Sequence, residues 1–290
     1  MTTTDDDALT GARPIAGAPF GWEVGIDLTA PLGQAEKAAL ARIYRRDGLI
    51  LFRNQSLTRE QQQQACDIFG PALRTDLDNY VVSNVEEGGF LGKQELLFHN
   101  DIPYVPAPFL GGSLHALEVA EGAAATRFAS ALRAWDSLPE GLKERIAPLQ
   151  ALQVRGHLLG RRTTLADLGP GDPCAVHSVV GQQQGTGRPY LFVNIDMTAC
   201  ITALPHAESD ALIEELFAYL YDPANIYEHG WAKGDLLVWD NLAVQHARSE
   251  TGNAARTLRR VSIAEYGYWE QVPTDMATHQ SLRDMEKAEA

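Results

Sequence analysis

Cysteine is scarce in this chain: Cys66, Cys174 and Cys200 are the only three among 290 residues. An odd number excludes a fully paired disulfide framework, and no CxxC spacing occurs, so neither a disulfide scaffold nor a thiolate zinc site is encoded. The three read as buried or incidental thiols. Long apolar runs are missing as well. No stretch approaches the roughly 18 residues that a membrane span needs, and the N-terminus, MTTTDDDALTGARP, is acidic and polar, unlike a secretory signal. A cytoplasmic protein with no membrane partner is expected. Basic residues are in the minority, 24 Lys and Arg against 38 Asp and Glu, giving a formal net charge of -14. Nucleic acid is therefore not an expected partner, because phosphate binding needs a basic face.

What is present is apolar material for a sizeable core, 45% of residues, in a chain that reads as one domain over 20–290 behind a flexible N-terminal arm of residues 1–19. FGWEVGIDL alternates like a strand. QAEKAALARIYRRDG places Ala38, Leu40, Ile43 and Tyr44 on one helical face and stops at Gly48. GLILFRN reads as a strand buried on both sides, and SLTRE opens a helix that the four glutamines continue. Residues 71–96, rich in Asp, Asn, Gly and Glu, read as a long loop. Short apolar runs then recur, LGGSLHALEVA, ATRFA, ALQVRGHLL, CAVHSVVG and RPYLFVN, with LRAWDSLPEGLKERI between them as helix. HAESDALIEELFAYLYD is a second long helix with Ala211, Leu212, Glu215, Leu216 and Tyr219 around one face. LLVWDN and RRVSIAEYGYW follow as strands. Many short strands with a few covering helices predict a mainly β fold with flanking helices, a double-stranded β-helix (jelly-roll) barrel.

Three residues carry the chemistry. His99 and Asp101 in LLFHNDIPY lie two apart, and on a strand both side chains reach the same side. His246, in LLVWDNLAVQHARSE, can supply a third ligand where a strand meets a loop. Two imidazoles and a carboxylate on one face of Fe(II) leave the other face open to ligands, whereas structural zinc favours four closed ligands, usually with thiolates. H-x-D alone is weak, since both residues are common. The other histidines, His115, His157, His177, His206, His229 and His279, read as hydrogen-bonded or surface residues. A second constellation is Arg256, Arg259 and Arg260 in NAARTLRRVSI. Even spacing puts Arg256 and Arg260 on one face of a strand with Arg259 on the other, and guanidinium forks suit carboxylates.

Together with these motifs, the stretches FGWEVGIDLTAPL, GLILFRNQSLTREQQ, GAAATRFAS, RPYLFVN, GDLLVWDNLAVQH and RTLRRVSI resemble the Fe(II)/2-oxoglutarate-dependent dioxygenases of the taurine and 2,4-dichlorophenoxyacetate dioxygenase type. The likeness runs from about Phe20 to Tyr268, and WDN-x4-H followed by R-x3-R is its specific part. It implies that His99, Asp101 and His246 hold the iron, that Arg256 binds the distal carboxylate of 2-oxoglutarate with help from Thr126, and that Arg260 meets either substrate or the cosubstrate's other end. It further implies that dioxygen is consumed, that succinate and carbon dioxide leave, and that a C-H bond of a small substrate is oxidised, hydroxylation being the expected outcome. With Asp101 present, no carboxylate position is vacant for a halide, so halogenation is not expected.

The chain also departs from the pattern. Phe98 stands where relatives commonly carry Trp, Glu95 stands where a taurine-type enzyme has a neutral amide, and NIDMTAC differs from the usual aromatic, glycine-bearing stretch. Taurine is therefore not the expected substrate. Glu95 and Arg260 can grip a zwitterion, such as an amino acid or another amino-bearing molecule, in a pocket shared with Ile102, Tyr104 and Asn194. Desaturation, ring closure, epoxidation and epimerisation remain open as outcomes, as does a noncatalytic jelly-roll protein that binds metal or anions. Helices outside the barrel can offer a surface for a homo-oligomer.

Overall fold

A computed structural model describes residues 5–75, 81–85, 95–155, 160–169, 171–248 and 254–272. From the N-terminus run helix α1 (Asp5–Thr10), strands β1 (Arg13–Pro14) and β2 (Trp22–Val24), helix α2 (Gln34–Asp47), strand β3 (Leu49–Phe52) and helix α3 (Arg59–Cys66). Strands β4 (Val81–Ser83), β5 (Leu96–His99), β6 (Gly111–Val119) and β7 (Thr126–Ser130) follow, then helices α4 (Ala131–Ser137) and α5 (Glu140–Ile146). Next come β8 (Gln150–Val154), β9 (Cys174–Ser178), β10 (Val180–Gln182), β11 (Pro189–Leu191) and β12 (Thr198–Ile201). Helix α6 (His206–Leu220) leads to β13 (Ile226–His229), β14 (Leu236–Asp240), β15 (Val244–Arg248), β16 (Arg256–Ile263) and the short helix α7 (Tyr268–Gln271).

Two sheets build the centre, a seven-stranded one in the order β1-β2-β3-β14-β6-β16-β4 and a four-stranded one in the order β13-β7-β15-β5. Among the described residues every strand pairing is antiparallel except that of β2 with β3. Leu51, Leu114, Leu237, Trp239 and Leu258 of the larger sheet meet Phe128, Tyr227 and Val244 of the smaller, so a core lies between the two. The opposite face of the larger sheet buries Ile50, Phe52 and Val238 against Leu40, Ile43 and Cys66 of α2 and α3. That is why LILF reads as an unbroken apolar run: its alternate side chains enter different cores. A further cluster joins α4, α5 and α6 to β8, β11 and β12.

Helix α2 follows from its sequence. Glu36 accepts the Gly33 N-H at 2.7 Å, Arg45 and Arg46 sit in the last turn, and Gly48 takes φ 72° to return its N-H to the Tyr44 carbonyl. Its buried residues are Ala39, Leu40, Ile43 and Tyr44, so Ala39 replaces the expected Ala38. In α6 the buried set is Ser209, Leu212, Ile213, Leu216, Phe217 and Leu220, not Ala211, Glu215 and Tyr219. ALIEELFAYL is apolar on too many sides for its sequence to set the phase. Thr58, within the expected SLTRE start, caps α3 by accepting the Gln61 N-H at 3.2 Å.

Three expectations are corrected. The segment read as a flexible arm carries α1 and β1 and is tied down: Asp6 pairs with Arg42 at 2.6 Å, Asp7 with Arg46 at 2.5 Å, and Ile15 is buried. The long loop contains β4, whose pairing comes from β16; residues 76–80 and 86–94 of it lie outside the described set, as do 1–4 and 273–290. The end of RRVSIAEYGYW turns into α7 instead of prolonging the strand. Among the described residues no helix is long and apolar enough to cross a membrane.

Candidate metal centre

Strands β15 and β5 pair so that His246 stands directly opposite His99. The two rings come within 4.2 Å, centroid to centroid. His246 thus lies within a strand, between Val244 and Arg248, and not at the strand-loop junction the sequence suggested. Asp101 is off the strand altogether, because β5 ends at His99. A buried asparagine places it. Asn241 Oδ1 accepts the Asp101 N-H at 2.7 Å, and its Nδ2 donates to the carbonyls of Asp101 at 3.0 Å and Phe109 at 2.8 Å. Asn100 in turn donates to the Asn241 carbonyl. The Asn of WDN therefore fastens the turn after β14 to the segment that bears Asp101. Just beyond, Ile102 takes φ 42°, a left-handed conformation unusual for a β-branched residue.

The candidate donor atoms of His99, Asp101 and His246 all lie within 4.8 Å of one another. Asp101 Oδ1 is 4.0 Å from His99 Nε2 and 3.8 Å from His246 Nε2. His99 Nδ1 lies 2.7 Å from the Leu97 carbonyl, which fixes that nitrogen as a donor and turns Nε2 toward Asp101. His246 Nδ1 is buried with no hydrogen-bond partner. Burial, with the neighbouring His99 ring, pushes the His246 imidazole down to about 3, so it is neutral and able to ligate. Burial would raise the Asp101 carboxyl, but the Arg260 guanidinium beside it acts the other way, and the group is held well below its ordinary value. Arg260 Nη2 donates to Asp101 Oδ2 at 2.5 Å, leaving Oδ1 toward the histidines. An ionised carboxylate beside two imidazoles fits a divalent first-row ion.

These ligand atoms open on a cavity of about 220 Å³. Arg256 lines it and is buried, and its Nη1 donates to the Ala124 carbonyl at 2.8 Å. Burial and the nearby Arg248 lower its guanidinium to about 10, so it stays cationic at neutral pH. No carboxylate pairs with Arg256 among the described residues. Thr126 lines the same cavity; its hydroxyl accepts the Trp231 Nε1-H at 3.0 Å, which leaves the hydroxyl hydrogen free to donate elsewhere. Arg259 faces away, donating to Gln62 and to the Leu57 carbonyl at 2.8 Å each, as the strand parity predicts. The Trp239 ring backs the site 4.8 Å from His246, and Gly112 lets it lie there: a Cβ at that position would stand 2.6 Å from Cζ2.

Of the predicted residues, His99, Asp101, His246, Thr126, Arg256, Arg260, Ile102 and Tyr104 meet in this cavity. Glu95 and Asn194 do not. Glu95 is exposed just before β5 and lies 3.8 Å from the Arg127 guanidinium. Arg260 is committed to Asp101, so the zwitterion grip expected of Glu95 and Arg260 is not assembled. Asn194 is buried behind the wall, where its Oδ1 accepts the Met197 N-H at 2.7 Å and shapes the turn that brings Asp196 and Met197 to the cavity. Two lining cations escaped the sequence reading, Arg248 and Arg155. Arg248 carried a signal, since it lies two residues beyond His246 on the same strand; Arg155, one residue past β8, carried none. The other described histidines serve the fold: Nε2 of His115 donates to the Gln55 carbonyl at 3.1 Å, His177 lies 2.9 Å from the Val105 carbonyl, His229 bridges Tyr227 and Asp235, and His206 is exposed. His157 and His279 lie outside the described residues.

The sequence model of the family described as "Taurine catabolism dioxygenase TauD, TfdA family" matches residues 10–262. Among individual proteins, the (S)-phenoxypropionate/alpha-ketoglutarate-dioxygenase of Sphingobium herbicidovorans is 33% identical over 219 residues, 68% of this chain and 75% of that protein. The alpha-ketoglutarate-dependent 2,4-dichlorophenoxyacetate dioxygenase of Cupriavidus pinatubonensis is 27% identical over 269 residues, 83% and 92% of the two chains. The crystal structure of AAD-2 in complex with Mn(II) and N-oxalylglycine superposes with a TM-score of 0.76 at 23% identity, covering 91% of this chain and 98% of that one, a likeness of fold.

Proposed function

The chain belongs to the taurine catabolism dioxygenase TauD, TfdA family, and on that premise we propose that His99, Asp101 and His246 hold its ferrous ion and that Arg256 and Thr126 hold the distal carboxylate of its 2-oxoglutarate. It is a non-haem Fe(II)- and 2-oxoglutarate-dependent dioxygenase acting on a small molecule. Iron and 2-oxoglutarate, once bound, supply the oxidation of a substrate C-H bond by dioxygen with release of succinate and carbon dioxide. Hydroxylation is the outcome we assign, and the two facing sheets are the halves of a double-stranded β-helix. The observation that carries the reading is one cavity holding both a His-Asp-His face and Arg256, a buried cation with no carboxylate partner among the described residues.

Each residue then has a definite task. His99 and His246 present ring nitrogens from paired strands, and Asp101 presents one oxygen while Arg260 occupies the other. Arg256 and Thr126 offer two kinds of donor to a single carboxylate, a charged fork and a hydroxyl whose acceptor side is already taken by Trp231. Together they orient a keto acid by its far end. Burial of the whole set keeps water away and strengthens both interactions.

The test is succinate release with Fe(II), 2-oxoglutarate and ascorbate, before and after Asp101→Ala. Release by the wild type that disappears in the variant is the expected result. Absence of release with and without a broad panel of small acids, amines and alcohols would favour a noncatalytic binding protein. Product mass separates the outcomes, since hydroxylation adds one oxygen and desaturation removes two hydrogens.

A further inference from the structure

His99 and His246 open on the cavity. Phe98 and Gln245, which immediately precede them on β5 and β15, fall by strand alternation on the opposite face of the small sheet. On that face Phe98 packs with Ala129, Ile195 and Tyr221 in one apolar cluster, to which Tyr221 brings a hydroxyl. Tyr221 is the C-terminal cap of α6, and its ring stacks on Phe98 with 4.9 Å between centroids. The hydroxyl has two partners. It accepts the Ile195 N-H at 3.0 Å and donates to Gln245 Oε1 at 2.7 Å. Gln245 Nε2 in turn donates to the Val193 carbonyl at 2.6 Å.

These bonds converge on the turn of residues 193–198, which brings Asp196 and Met197 to the cavity. Gln245 holds Val193 and Tyr221 holds Ile195, while Asn194 Nδ2 donates to Asn100 Oδ1 at 3.3 Å. The holders adjoin the metal face in the chain. Gln245 precedes His246, Asn100 lies between His99 and Asp101, and Tyr221 joins Gln245 to Phe98, the residue before His99. The turn is also closed on itself, since the Asn194 N-H donates to Thr198 Oγ1 at 2.8 Å. Asn100, Asn194, Thr198 and Gln245 are all buried. A satisfied buried network favours one backbone arrangement, because another would leave amides without partners. The wall turn therefore hangs from the back of the segments that carry the candidate ligands. Tyr221 itself does not line the cavity.

We propose that Tyr221 is a positioning residue for the oxidation: acting through Ile195 and Gln245, its hydroxyl sets where Asp196 and Met197 stand relative to the metal, and so how closely a bound substrate is confined beside it. The role rests on the oxygenase reading given above. Deleting the hydroxyl alone frees the Ile195 N-H and one side of the Gln245 amide, and leaves the ring on Phe98.

The test reads the wall directly, by methyl NMR of full-length protein labelled with carbon-13 at its methionine methyls. The protein is loaded with 2-oxoglutarate and either Co(II) or diamagnetic Zn(II), in the absence of oxygen. Met197 is one of four methionines, with Met1, Met276 and Met285, and Met197→Leu identifies its signal by deleting it. The difference in shift between the Co(II) and Zn(II) forms depends on the distance and direction of the methyl from the ion. Wild-type protein is expected to give a single shifted Met197 signal. Tyr221→Phe is expected to move that signal or split it, while Co(II) and 2-oxoglutarate affinities stay within about threefold, because no candidate ligand loses a partner. Tyr227→Phe is the control. It deletes another hydroxyl, 2.7 Å from His229 Nδ1, and should leave the Met197 signal in place. With a substrate found by the succinate assay, Tyr221→Phe should form less product per succinate released, by about twofold or more. Loss of folded protein cannot change that ratio. The role is overturned if Tyr221→Phe leaves the Met197 signal single and unmoved, if Tyr227→Phe moves it equally, or if the product ratio is unchanged. Any of these results from a protein that binds Co(II) and 2-oxoglutarate and releases succinate removes Tyr221 alone; wild-type protein that binds neither removes the oxygenase reading as well.

Discussion

In Asn241→Ala three backbone groups lose their partners at once: the partly buried Asp101 N-H and Asp101 carbonyl and the buried Phe109 carbonyl. Each orphaned group costs about 1–3 kcal/mol. The three lie together in a space the size of the lost amide, where one water can rescue part of the loss, so a net destabilisation of about 3–5 kcal/mol is expected. The second effect is local. Asp101 is not held by a strand, so without Asn241 its carboxylate keeps only the grip of Arg260, and metal affinity should fall about tenfold to a hundredfold, the usual cost of losing an outer-shell support. Asn225→Ala is the control. Asn225 is also buried and donates to the carbonyls of Ser130 at 3.0 Å and Leu220 at 2.9 Å, away from the cavity wall. Urea unfolding of the metal-free proteins and calorimetric titration with Mn(II) separate the two effects. Both variants should lose stability, and Asn241→Ala alone should lose metal affinity. An Asn241→Ala protein that is destabilised yet binds Mn(II) as the wild type does would refute the argument.

Arg256→Gln should raise the KM for 2-oxoglutarate about tenfold to a hundredfold with little change in Mn(II) affinity, and Thr126→Val should do the same by a smaller factor; steady-state kinetics of succinate release measure both. Gly112→Ala should cost about 1–3 kcal/mol in urea unfolding, because the added methyl drives into the Trp239 ring that backs His246; an unchanged midpoint would show that the ring can shift freely. Cys66 is fully buried, and burial pushes its thiol up to about 12, so at pH 8 it holds almost no thiolate, whereas Cys174 is exposed. A thiol reagent should therefore label Cys174 rapidly in the native protein and Cys66 only after unfolding, as peptide mapping would show.

That His99, Asp101, His246, Arg256 and Arg260 line one cavity agrees with the motif reading, and strand parity accounts for the two arginines; it does not account for Asp101, which lies beyond the end of β5. Helix α2 was legible for a similar reason, having a clear apolar phase and a glycine stop. Other features depend on partners far away in sequence. Strand β4 lies in a polar segment and exists because β16 offers it a free edge. Asp101 owes its position to Asn241, 140 residues later, and the WDN motif does not announce what its asparagine touches. Glu95 was misplaced by proximity: it is four residues before His99 in the chain, yet it precedes β5 on the solvent side. Arg155 could not be found at all from sequence, since nothing in ALQVRGHLL says that the chain leaves β8 at the rim of a cavity.

The opposition of His99 and His246 across β5 and β15 has a bearing on folding as well as on chemistry. A slip of one residue between these strands would set Gln245 or Ala247 opposite His99 and swing the second imidazole to the far side of the sheet. Such a chain could close most of its ladder and still offer the ion only half a site. Metal binding stabilises whichever state it recognises, by about 2.7 kcal/mol at a hundredfold excess over Kd, so the ion rewards the correctly zipped ladder and leaves misaligned ones without that gain. With His99 and His246 as its proposed ligands, the metal would thus check assembly before any substrate arrives.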